Sequence, residues 1–126
     1  MQPEEQKRIA KKIEEVRVAF GKDIVTLLKQ VNATRLAGKG KVATVPLVDR
    51  ASLRWGLAWK EGKIAYDINV VVRFEDDGQA ANIAGVWVHR HASTPIDYEG
   101  HTPTTRMHRL TGLVIKEIRE AIDAEW

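Results

Sequence analysis

Residues 52–91 read SLRWGLAWKEGKIAYDINVVVRFEDDGQAANIAGVWVHRH, and three stretches within them alternate apolar and polar side chains with period two. Leu53, Trp55, Leu57 and Trp59 share one face of the first stretch. Ile64, Tyr66, Ile68, Val70, Val72 and Phe74 share one face of the second, and Ile83, Gly85, Trp87, His89 and His91 share one face of the third. Alternation of this kind marks half-buried antiparallel strands. A two-residue loop at Glu61-Gly62 predicts Trp59 opposite Ile64, Leu57 opposite Tyr66 and Trp55 opposite Ile68. A four-residue loop at Asp76-Asp77-Gly78-Gln79 predicts Val72 opposite Ile83, Ile68 opposite Trp87 and Tyr66 opposite His89. Both registers place the apolar faces together, as a sheet buried on one side requires.

Working outward, residues 3–36 carry a helical stripe of Ile9, Ile13, Val16, Phe20, Ile24, Leu27 and Val31 at spacings of three and four. Pro3 suits a first helical turn, and Glu4 and Glu5 complement the positive end of the helix dipole. Gly21 is a possible break, but the stripe keeps its phase across it, so one continuous helix is expected. The same spacing resembles a heptad seam, and a homodimer follows as an expectation. Ala37 to Lys41 form a basic link, and Val42 to Val48 a short strand that Pro46 assigns to the sheet edge. Residues 92–103 are rich in turn formers. Helical period returns over 104–125 through Met107, Leu110, Val114, Ile118 and Ala121/Ile122. The expectation is an α+β two-layer sandwich of order α-β-β-β-β-α: one domain over residues 1–126, with two helices on the Trp-bearing face of an antiparallel meander.

The chain has 126 residues, no cysteine and a formal net charge of +3. Disulfide and thiolate chemistry are therefore excluded, and any metal would need His, Asp or Glu ligands. No apolar run is long enough to span a bilayer, and the first residues lack a signal-peptide pattern, so the expected setting is cytoplasmic and away from membranes. Residues 1–63 hold 14 basic and 7 acidic side chains, whereas residues 64–126 hold 6 and 10. The basic half points to an acidic partner, nucleic acid first, with Lys7, Arg8, Lys11, Lys12, Lys39 and Lys41 as the contacts.

All four histidines fall between His89 and His108. Imidazole titrates near neutrality, so His89, Tyr66 and His101, helped by Asp97 or Glu99, are the candidates for a proton-transfer site. His89, His91 and His101 are minority candidates for a metal, although the His-x-His ends a strand and the spacing from His101 to His108 matches no zinc pattern. The preferred assignment has no metal and no cofactor. On this register the opposite sheet face carries Arg54, Lys60, Asp67, Asn69, Arg73, Asn82 and Arg90 without an aromatic platform. The leading functional expectation is a small, non-enzymatic binding or interaction module. The alternatives are a small-molecule-binding protein or enzyme using the His/Tyr site, and a subunit of a larger assembly.

Overall fold

The structure, a computed structural model, describes residues 2–93 and 104–126. Its elements are helix α1 (Pro3–Arg35), strands β1 (Lys41–Val42), β2 (Leu47–Asp49), β3 (Ser52–Glu61), β4 (Ile64–Asp76), β5 (Ala81–Ser93) and β6 (Thr104–Leu110), and helix α2 (Ile115–Asp123). The fold is α+β, with helices at either end and an antiparallel sheet between them. Strand order is β1-β3-β4-β5-β6, and β2 shares the same edge of β3 as β1. Among the described residues, no helix is long and apolar enough to cross a membrane.

α1 runs unbroken through Gly21, and its stripe is consumed by the chain's own sheet. Ile9, Ile13, Val16, Ile24, Leu27 and Val31 are each at most 5 % exposed. They join Leu53, Trp55, Leu57, Val70, Val72, Val86, Val88, Ile118 and Ile122 in one apolar cluster. The buried side chains of the stripe therefore pack within the chain itself.

Three local outcomes differ from the sequence expectation. The edge strand is split into β1 and β2, because Pro46 has no N–H to give to the ladder. The first hairpin turns on Gly62-Lys63, with Gly62 at φ +62°, and Trp59 pairs with Tyr66. This two-residue slip keeps every side chain on its expected face. Residues 104–110 form a strand in place of the first helical turns. The hydrogen-bonding edge of β5 captures them, and their second, period-two pattern (Arg106, His108, Leu110 against Thr105, Met107, Arg109) becomes the operative one.

The fourth difference decides where the site lies. Phe74 pairs with Ile83 but Arg73 pairs with Gly85, so Ala84 is an extra residue in β5. This bulge reverses the facing of everything after it. Val86 and Val88 enter the core at 1 % and 0 % exposure, while Trp87, His89 and His91 turn to the other side of the sheet. Only Trp55 and Trp59 of the strand tryptophans lie under the helices. Trp126 stacks on Trp59 with ring centroids 5.7 Å apart.

One ion pair fixes the start of α1 to the far end of β4. Arg8 donates from Nε and Nη2 to the two carboxylate oxygens of Asp76, at 2.6 and 2.7 Å. The Arg8 guanidinium, together with the Gly78 amide, holds the Asp76 carboxyl below its ordinary value. A depressed carboxyl pKa adds stability above the unfolded value, and that increment is lost as pH falls through the folded one. Asp76→Asn is therefore expected to lower the urea midpoint at pH 7 and to flatten the decline in stability between about pH 5 and pH 2. Equal declines in both proteins would show that this pair is not an acid-labile element.

Candidate functional site

Among the described residues, both helices pack on the Trp55 side of the sheet, and the chemically distinctive side chains collect on the opposite side. Alternation brings Arg54 from β3, Asp67, Asn69 and Arg73 from β4, Trp87, His89 and His91 from β5, and Met107 and Arg109 from β6 to that face. Gly85 lets the Trp87 indole lie flat along its strand: a Cβ at Gly85 would sit 2.2 Å from the ring. The guanidinium carbons of Arg73 and Arg109 stand 5.1 and 5.4 Å from the Trp87 ring centroid. An arginine held on an aromatic ring keeps its in-plane N–H groups for other acceptors.

His89 and His91 stand edge to face, with centroids 6.0 Å apart. The Nδ1 of His91 lies 3.0 Å from the Thr105 hydroxyl oxygen. Burial pushes the His89 imidazolium down from its ordinary pKa, as do His91, Arg73 and Arg54, while Asp67 opposes them. Asn69 donates to Asp67 at 2.5 Å. Two adjoining depressions mark the face. One, of about 190 Å³, is bordered by Arg54, Arg73 and His89 over a Val71 floor. The other, of about 770 Å³, runs between the β1–β2 edge and the sheet, past Lys41, Leu47, Asn69 and His91. Cations concentrated around half-buried imidazole rings suit an anion with a planar, stackable part.

The expected proton-transfer pair does not form. Tyr66 lies on the helix side, stacked on Trp59 at 5.4 Å and beneath Arg90, whereas His89 lies on the other face. The odd residue at Ala84 separates them, since without it both would share one face. His91 and His89 do share a face, as the strand period indicates, while His101, Asp97 and Glu99 lie outside the described residues. Among the described residues, no three His, Asp or Glu side chains gather as metal ligands. Of the six basic residues expected to meet an acidic partner, only Lys41 borders the groove. Arg8 is engaged by Asp76, and Lys7, Lys11 and Lys12 belong to α1, on the far side of the sheet.

Sequence reasoning missed Trp87 and Arg109 as site residues. The available signal was the run Gly85-Val86-Trp87-Val88, in which the valines form an equally regular apolar set. Arg90 moves the opposite way, to the helix side. There it joins Arg106 and His108 around the Glu125 carboxylate, which is 1 % exposed, with His108 Nε2 2.5 Å from Glu125 Oε1. That cluster ties the segment after α2 to the sheet. Compared with known proteins, the chain matches no family model, no curated protein and no solved structure.

Proposed function

We propose that the chain is a binding module that takes single-stranded nucleic acid on the helix-free face of its sheet. The observation that carries this reading is Trp87 laid flat on the sheet with Arg73 and Arg109 against its ring. The arginine edges, with Arg54, meet phosphates, and the indole and imidazole rings meet bases. A duplex hides its base faces in the stack, so the single strand is the preferred form.

Fluorescence anisotropy with a labelled oligothymidylate and the matching duplex tests the proposal. Tighter binding of the single strand is expected, with a log–log salt slope of about −2 if three arginines neutralise phosphates. Binding that is indifferent to salt, or no binding to the oligonucleotide at low salt, would overturn it.

The depressed pKa of His89 adds a second expected result. The group is neutral at pH 7 and gains charge as pH falls below its ordinary value of about 6.5. A bound phosphate favours the protonated form, so affinity is expected to rise on acidification through that range. His89→Asn should remove part of this pH dependence, measured by the same anisotropy assay between about pH 5 and pH 7.5. A His89→Asn profile superimposable on that of the parent would detach His89 from the site.

A second copy of the chain is the competing occupant, favoured by the 63 % and 53 % exposure of Met107 and Leu47 on this side. Sedimentation equilibrium with and without oligonucleotide separates the two. A dimer that dissociates as nucleic acid binds would make the face dual-purpose, and a stable dimer that binds no nucleic acid would replace the first reading.

A further inference from the structure

On the helix side, Trp55 is wholly buried in the core, and among the described residues its indole N–H has no acceptor. A buried donor without an acceptor is costly, and native interiors rarely tolerate one. The edge of the ring that carries this N–H faces α1 at Gly21, where a Cβ would stand 3.7 Å from both Nε1 and Cζ2. Because Gly21 has no side chain, a hollow of about 330 Å³ opens between helix and sheet there. Arg17, Lys22 and Lys29 border it with positive charge, Thr26 and Thr44 with hydroxyls, and Val25 and Pro46 with apolar surface.

We infer that this hollow is a binding site for a small monocarboxylate, with one carboxylate oxygen accepting the Trp55 indole N–H and a short apolar tail against Val25 and Pro46. A single acceptor at the floor satisfies the orphaned donor. Basic side chains at the rim select an anion over a neutral acceptor. The stem of Arg17 covers the spot, its Cγ lying 4.0 Å from where a Gly21 Cβ would be, so the carboxylate seats as this stem swings aside. That movement is cheap. The present partner of Arg17 is Glu14, an exposed carboxylate one turn back on the same helix, and such surface pairs contribute little. The ligand's carboxylate takes the place of Glu14. The site is independent of the sheet face, which lies across the core from it.

The test follows the indole Nε1–H resonances of the full chain by 1H–15N NMR during titration with butyrate, with sodium chloride matched for ionic strength. Trp55 is assigned from Trp55→Phe or, should that variant not fold, from contacts between its indole proton and α1. A saturable shift of the Trp55 N–H with a dissociation constant of about 1 mM is expected, as befits six heavy atoms. Gly21→Ala provides the second measurement. Its methyl group makes ordinary contact with the indole and favours the helix, so the variant folds with an equal or higher Tm. It also fills the floor of the hollow and is expected to weaken butyrate at least tenfold. A Trp55 resonance that chloride moves as far as butyrate, or one that stays still throughout, overturns the proposal. So does full butyrate affinity in folded Gly21→Ala.

Discussion

Val88→Asp is expected to leave the chain largely unfolded at room temperature, whereas Trp87→Ser, one residue away, is expected to fold. Val88 is 0 % exposed and packs in the shared cluster under the helices. A carboxyl group at that position has no partner. Burying it costs several kcal/mol whether it ionises or binds a proton, against a total stability of about 5–15 kcal/mol for a domain. Trp87 stands on the other face, where its loss removes two ring–guanidinium contacts worth about 0.5–1 kcal/mol each. Urea unfolding followed by circular dichroism decides the matter. The register read from alternation alone, with Trp87 inside and Val88 outside, demands the opposite ranking, so a folded Val88→Asp beside an unfolded Trp87→Ser would refute the bulge.

The double variant Arg73→Glu/Arg109→Glu is expected to weaken single-strand binding by at least about a hundredfold at low salt. Each reversal exchanges an attraction of about 1 kcal/mol, at contact distance in a water-like dielectric, for a repulsion of similar size. Two such exchanges approach 4 kcal/mol before screening, or roughly a thousandfold, and mobile ions reduce that. Both side chains are exposed, so the fold survives and the comparison measures binding. Lys7→Glu/Lys11→Glu is the matched control on α1, beyond the sheet, and a change within about threefold is expected there. If the α1 pair proves the damaging one, the nucleic acid follows the basic N-terminal half and the sheet face is not its site.

The fold class was legible because alternation and helical stripe are long and agree with one another. Leu53 to Trp59 and Ile64 to Phe74 take the faces their period assigns, and Ile9 to Val31 bury as one side of a single helix. The two-residue slip at Gly62 passed without consequence, since a shift by an even number leaves every facing intact. What escaped was the shift by one at Ala84, since Gly85, Trp87, His89 and His91 form a pattern as regular as Val86 and Val88 do. Period alone cannot choose between two regular sets. The choice is made by packing, where two valines fit beneath α1 and a tryptophan beside histidines does not. The same competition explains Thr104 to Leu110, whose spacing serves either a helix or a strand until an unpaired edge of β5 is within reach.

The extra alanine also makes chain length, more than residue identity, the guarded quantity in the β4–β5 hairpin. Deleting Ala84 would leave a chemically similar sequence, yet it would exchange interior for exterior along the rest of the strand, sending indole and imidazoles inward and valines out to water. Substitutions in that stretch alter one surface at a time, while an insertion or deletion of one residue inverts the sheet's two sides together.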